Sequence, residues 1–120
     1  MIGGPGFDKN FTLLEQMLTL TANKQKVIAH NIANVDTPGY RRKELKFEDA
    51  LLRALEQDDV DALQRIQGVI VESDDPTLRN DGNNVDIDKE MAEMSQNTLV
   101  YRVYTELLNK KIGMLRLAMR

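Results

Sequence analysis

The sequence of 120 residues predicts a mainly α-helical chain. Two long helices, one at each end, are expected to pair as an antiparallel coiled-coil hairpin. A short irregular middle segment, with room for a short helix and a β-strand, joins them. Three observations lead there. From Asp8 to Ala33 there is no Gly or Pro. From Ile87 to Met119 apolar residues recur in alternating steps of four and three. Between these stretches the chain turns acidic and rich in turn residues, which divides it into 1–43, 44–85 and 86–120 within one subunit.

The first helix is read from Asp8, a candidate N-cap, with Thr12-Leu13-Leu14-Glu15 offering a capping box one turn later. The Gly-rich opening before it is expected to be flexible unless a partner orders it. Phe11, Leu14, Leu18, Ile28 and Ile32 fall on one line of the helix, which passes through the polar Thr21 and Gln25. An interrupted stripe of this kind packs against something without making a strong isolated dimer. The helix is expected to stop at Asn34, which tolerates the left-handed cap conformation. Thr37-Pro38-Gly39-Tyr40 then reads as a type II turn, with Pro38 presetting φ and Gly39 supplying the positive φ that follows.

In the middle, Phe47–Leu55 has helix-forming composition, and Asp58 or Asp59 is placed to cap a further turn or two reaching Gln67. Val69-Ile70-Val71 is the best strand candidate, though no sheet is asserted. Asp74-Asp75-Pro76 and Asp81-Gly82-Asn83-Asn84 read as turns.

The last third carries the strongest pattern. The steps from Ile87 run through Met91, Met94, Thr98, Tyr101, Thr105, Leu108, Ile112, Leu115 and Met119, and eight of these ten positions are apolar. Asp86 is a natural N-cap, Asp88 and Glu90 suit the positive end of the helix dipole, and Lys110, Lys111, Arg116 and Arg120 suit the negative end. A two-helix hairpin has one internal interface, so much of each stripe would stay exposed in a lone subunit. Burial against neighbouring copies or partner proteins is the expected remedy.

Composition narrows the function. With no Cys there is no disulfide, thiolate nucleophile or cysteine zinc site. The single His30 cannot make a multi-histidine metal site and is expected to have a structural or surface role. The net charge of −3 marks no nucleic-acid binder. Its distribution is uneven: residues 1–43 carry six basic and three acidic groups, residues 44–90 five and fourteen, residues 91–120 five and two. Arg41-Arg42-Lys43 is expected to be a solvated corner or an electrostatic contact with the acidic middle of another copy. The Asp81–Asp88 stretch lacks the EF-hand pattern, since its fifth and sixth positions hold Val85 and Asp86. No run approaches the ~18 apolar residues of a membrane span, and the start does not read as a secretory signal. No catalytic residue, cofactor, metal or small-molecule substrate is expected. An assembly subunit is the leading reading, with a small cytoplasmic helical adaptor or export chaperone as the alternative.

Asn31-Ile32-Ala33-Asn34-Val35-Asp36-Thr37-Pro38-Gly39-Tyr40-Arg41 resembles the N-terminal signature of the bacterial flagellar rod, hook and hook-associated axial proteins. Asn31, Asn34, Thr37, Pro38, Gly39 and Tyr40 carry that motif. Gly82–Met91, continuing through Asn97–Tyr101 and Leu107–Lys111, is similar to the C-terminal helix of a proximal rod member of the family. A neighbouring proximal rod member shares the first signature. The resemblance implies a structural subunit of the proximal rod, the drive shaft of the flagellar basal body, needed for flagellum assembly and motility. It implies terminal helices forming a coiled-coil assembly seam through Phe11, Leu14, Leu18, Ile28, Ile32, Met91, Met94, Tyr101, Leu108, Ile112, Leu115 and Met119. The implied partners are other copies, neighbouring rod proteins, the membrane ring or rod adaptor, and the flagellar type III export apparatus. The implied location is the periplasmic rod, reached without a cleaved signal peptide.

Overall fold

The computed structural model describes residues 4–77 and 79–119. The elements in chain order are α1 (Gly4–Ala33), β1 (Lys43–Lys46), α2 (Glu48–Glu56), α3 (Val60–Arg65), β2 (Val69–Glu72) and α4 (Ile87–Ala118). The molecule is elongated, 63 × 27 × 15 Å. The expected class, two long terminal helices paired as a hairpin, is what the chain forms.

α1 starts about a turn before the expected position, so Asp8 and the Thr12–Glu15 box lie inside it and not at its N-cap. Pro5 is tolerated there because the first turn has N–H groups without intrahelical partners anyway. The expectation of a flexible opening falls partly on residues 1–3, which lie outside the described residues, whereas residues 4–7 are helical. At the other end α1 stops at Ala33 as expected, but by a different cap. Asn34 does not take a positive φ. Its side-chain Nδ2 instead donates to the His30 carbonyl at 2.8 Å. α4 begins as read: the Asp86 carboxylate accepts from the backbone N–H groups of Asp88 and Lys89.

The two long helices run antiparallel, and the polar break in the α1 stripe is where they are hydrogen-bonded. Asn97 Nδ2 donates to the Thr21 carbonyl at 2.9 Å and to Gln25 Oε1 at 2.8 Å. Gln25 Nε2 donates to Thr98 Oγ1. Around this bond set Leu14 and Ile28 are buried, and Phe11, Leu18 and Ile32 are half-buried. On α4, Glu90 and Asn97 are buried, while Met94, Thr98, Thr105, Leu108, Ile112 and Leu115 are half-buried. Ile87, Met91, Tyr101 and Met119, on the same heptad line, are exposed. The cause is geometric. An α-helix with 3.6 residues per turn drifts by ~20° per heptad from a 3.5-residue line. Ile87 and Met91 thus lie to one side of the inward face that the buried Glu90 and Asn97 mark.

A second face of α1 holds the apolar core. Leu13, Met17 and Leu20 pack against Phe47, Leu51, Ala54 and Leu55 around α2 and against Ala62, Leu63 and Ile66 around α3. The middle segment is thus bound to α1. α3 is capped as expected, the Asp59 side chain accepting from Ala62 N. β2 matches its strand reading, and it pairs antiparallel with β1, Leu45 opposite Ile70. β1, Lys-Glu-Leu-Lys, offers one apolar residue and too little pattern to be seen in sequence. Between α3 and β2 the chain needs Gly68. Its φ is +77°, and a Cβ there would sit 2.9 Å from Leu45 Cδ1.

Leu20 has no exposed surface, whereas Leu52 on the outer side of α2 is 56% exposed. Leu20→Ala should cost about 2–5 kcal/mol in urea unfolding. Leu52→Ala should stay within about 0.5 kcal/mol of the parent. Equal costs would mean that α2 is turned the other way.

Candidate functional site

The two signature segments meet in a buried polar junction at the end of the hairpin where α1 stops and α4 starts. Asn31, in the last turn of α1, uses its whole amide. Its Oδ1 accepts from the Tyr40 hydroxyl and from Lys43 N, both at 2.9 Å. Its Nδ2 donates to the Lys43 carbonyl at 2.8 Å and to Glu90 Oε2 at 3.2 Å. One side chain thereby closes the open edge of β1 and ties it to α4. Neither its two donors nor its oxygen has anything left to offer.

Arg42 lies at the centre, 2% exposed. Its Nε donates to Glu90 Oε1 at 2.7 Å, and Glu90 is itself fully buried. Its terminal nitrogens pair with Glu44, with Asp75 at 3.1 Å and with Glu93 at 3.5 Å. Burial alone would lower the guanidinium pKa, but hydrogen bonds to Glu90 and Glu44 outweigh it and hold the charge more firmly than usual. Lys46, then Arg42, holds the Glu44 carboxyl below its ordinary range. Lys89, then Ser73, does the same for Asp75. Burial raises the Tyr40 hydroxyl, helped by the Glu90 and Glu72 charges.

Asn83 and Asn84 complete the junction from the α4 side. Asn83 Nδ2 donates to the carbonyls of Asn34, Val35 and Thr37, so one amide holds the turn that follows α1. Asn84 Oδ1 accepts from Arg42 N at 2.6 Å, and its Nδ2 donates to the Ser73 and Asp75 carbonyls. Among the described residues no buried side-chain polar atom lacks a partner.

The motif residues fall around this junction in the expected turn. Tyr40 N donates to the Thr37 carbonyl at 3.2 Å, and Gly39 has φ +74°. Gly39 N also donates to the Asp81 carbonyl at 2.8 Å, which fixes the turn against the 81–84 loop. His30 is exposed, with Nδ1 3.2 Å from Asn34 Nδ2, in keeping with a structural role. The basic triplet departs from expectation. Arg42 is buried, Arg41 donates to the carbonyls of Ser73, Asp75 and Gly82, and Lys43 lies 5.6 Å from the Tyr40 ring centroid. Arg42 is thus taken up within the chain and is not part of a solvated corner, while Arg41 and Lys43 remain half-buried. Sequence reasoning missed Arg42, Glu90, Asn83 and Asn84 as a set. Nothing in their spacing marked them as a set, since their partners lie tens of residues away in the chain.

Such a junction does no bond chemistry; it fixes geometry. It also has a pH signature. A carboxyl whose folded pKa lies below its unfolded value stabilises the fold above the unfolded value and loses that contribution as pH falls through the folded one. Glu44 and Asp75 are depressed from ordinary values of 4.5 and 3.8. The urea midpoint should therefore fall as pH drops below about 5. The combined Glu44→Gln, Asp75→Asn variant should show a shallower fall. An unchanged slope would remove these two carboxyls from the acid response.

Comparison with known proteins covers the first of these segments and most of the chain. The family model for "Flagella basal body rod protein" matches residues 18–41, the later part of α1 and the turn after it. The flagellar basal body rod protein FlgB of Bacillus subtilis is 39% identical over 116 residues, spanning 86% of this chain and 87% of that protein. The FlgB of Aeromonas hydrophila is 34% identical over 125 residues, spanning 95% of each. The FlgB of Borrelia hermsii is 34% identical over 119 residues, spanning 84% of this chain and 88% of its own. With relatives this similar along most of its length, the chain belongs to the FlgB family of flagellar basal body rod proteins.

Proposed function

We propose that this chain is a structural subunit of the flagellar basal body rod, placed in its proximal part, and that it works by packing its long helices against neighbours. The role is structural and not enzymatic. Family membership supports it, and one observation carries the mechanism. Leu99, Val103, Leu107, Met114 and Leu117 form an apolar stripe on α4 that is turned away from α1 and exposed. An uncovered stripe of this length is a site for protein contact. Ile87, Met91, Tyr101 and Met119, the heptad positions left open beside α1, extend the surface available to a coiled-coil neighbour.

The partners in this reading are further copies and the adjoining rod proteins, with the membrane ring or rod adaptor at the base. Delivery to the periplasmic rod runs through the flagellar type III export apparatus without a cleaved signal peptide. The buried junction has a defined part in it. It sets how the acidic middle stands relative to the hairpin, so that each copy presents the same surface.

The test is to remove the gene and replace it with tagged versions. Loss should abolish swimming, and the parent chain should return it and be recovered in purified basal bodies. Recovery only in the cytoplasm would favour the adaptor reading. Gly39 probes the geometry more finely. A Cβ there would meet nothing within 4 Å, so a substitution acts through the φ of +74° alone. Gly39→Val should cost about 1–2 kcal/mol and lower incorporation, while Gly39→Asn should be clearly milder. Equal defects would mean that a partner needs the bare glycine surface.

A further inference from the structure

The β1–β2 ribbon leaves the far side of β2 open, and its hydrogen bonds show which groups face outward there. Ser73 N donates to the Arg42 carbonyl at 2.8 Å, one step beyond the Lys43–Glu72 pair of the ladder. Hydrogen-bonded pairs alternate along an antiparallel ladder, so Glu44–Val71 and Lys46–Val69 are of that kind too. The peptide groups of Val69 and Val71 therefore point to β1, and those of Ile70 and Glu72 point away from it. The same alternation turns the Lys43 peptide groups away from β2, where the Asn31 amide takes both. β1 thus has its outer side against α1. Among the described residues no hydrogen bond from outside the ladder reaches the peptide groups of Ile70 or Glu72. Val69 and Ile70 on this strand are 64% and 59% exposed. β2 is short, but it carries no Lys or Pro of the sort that blunts a free edge.

We propose that two copies of the free chain pair antiparallel through this edge, β2 on β2 about a two-fold axis, to make one four-stranded sheet. The edge selects a second copy because it is complementary to itself in one register. With Val71 opposite Val71, Ile70 of each strand faces Glu72 of the other, and every outward peptide group of both strands finds a partner. A shift that sets Ile70 opposite Ile70 puts Glu72 against Gly68, whose φ of +77° takes it out of extended geometry. A shift the other way puts Glu72 opposite Glu72, two carboxylates in direct repulsion. The favoured register opposes no like charges, and it covers the exposed edge of Val69 and Ile70. A lone two-stranded ribbon is marginal, whereas four strands exceed what a sheet needs to hold. Because both sides are the same patch, the contact closes on itself and does not propagate. It is a contact of the free chain, separate from the helix packing of the rod reading and independent of it.

Val71 lies on the axis at a pair without hydrogen bonds, where facing side chains come closest. In a chain without native cysteine, Val71→Cys therefore gives a direct test. Under mild oxidation of the purified full chain, Val71→Cys should form a disulfide-linked dimer. Val69→Cys and Ile70→Cys, its neighbours on the strand, should form at least tenfold less. Equal cross-linking of all three would mean random collision and overturn the pairing. Dimer from Ile70→Cys in preference to Val71→Cys would overturn the register. No dimer from any of them would overturn the second copy as occupant and leave the edge to a strand of another protein. Amide exchange of the unmodified chain, read residue by residue by NMR, gives a measurement that needs no variant. Raising the concentration should slow exchange at Ile70 and Glu72 at least tenfold, while Val69 and Val71, already bonded to β1, change little. Exchange at Ile70 and Glu72 that ignores concentration would overturn the contact. Failure on either count leaves the rod reading standing, since that reading is tested by recovery in basal bodies.

Discussion

A buried guanidinium has to be neutralised where it lies, and in this chain that requirement organises everything at one end. Arg42 follows the turn after α1, and the one fully buried carboxylate that meets it, Glu90, is 48 residues later in the first turn of α4. Glu44 on β1, Asp75 after β2 and Glu93 on α4 complete its partners. Satisfying one side chain therefore fixes the start of α4, the ribbon and the end of α1 together. A buried ion pair is poor evidence of net stability, since desolvating both charges offsets much of their attraction. Its effect here is on specificity. Shifting α4 along α1 by one turn would take Glu90 from Arg42 and Asn31 and leave its buried carboxylate without partners, at a cost of several kcal/mol.

The remainder of the hairpin is weaker in this sense. Along most of its length α4 touches α1 through half-buried residues, with Asn97, Thr21 and Gln25 as the polar register mark. The apolar core lies on the far side of α1, with α2 and α3. α1 thus serves two interfaces, while α4 serves one and keeps its outer stripe open. For a chain that is one part of a larger shaft, this arrangement puts folding specificity at the junction and leaves a long helix surface for neighbours.

How much of this the sequence showed depends on the range of the interactions. Features set within a turn or two were legible. Asp86 caps α4, Asp59 caps α3, and Thr37-Pro38-Gly39-Tyr40 makes its turn because φ preferences and caps act locally. The heptad line gave α4 its existence and length but placed its inward face off by part of a turn, because a nearly straight helix does not follow a 3.5-residue repeat. The junction was not legible. Arg42 sits in a run of three cations that looks solvated, and Asn83 and Asn84 look like ordinary turn residues. Their burial depends on partners tens of residues away, and spacing carries no mark of that. β1 was missed for the same reason: Lys43 is held in a strand by Asn31 and the partner strand, not by its own propensity.

The claim that one charge pair sets the geometry is tested most directly by a double-mutant cycle between Arg42→Met and Glu90→Met, read by urea unfolding. Arg42→Met strands the buried Glu90 carboxylate, so the account predicts a loss of about 3–5 kcal/mol, and Glu90→Met, which leaves Arg42 its pairs with Glu44, Asp75 and Glu93, should cost less. Removing both charges leaves apolar side chains in a site of similar volume, so the double variant should be far more stable than the sum of the two losses implies. A coupling of about 2 kcal/mol or more is the expected result. Losses that simply add would contradict the account and show that the two residues act independently.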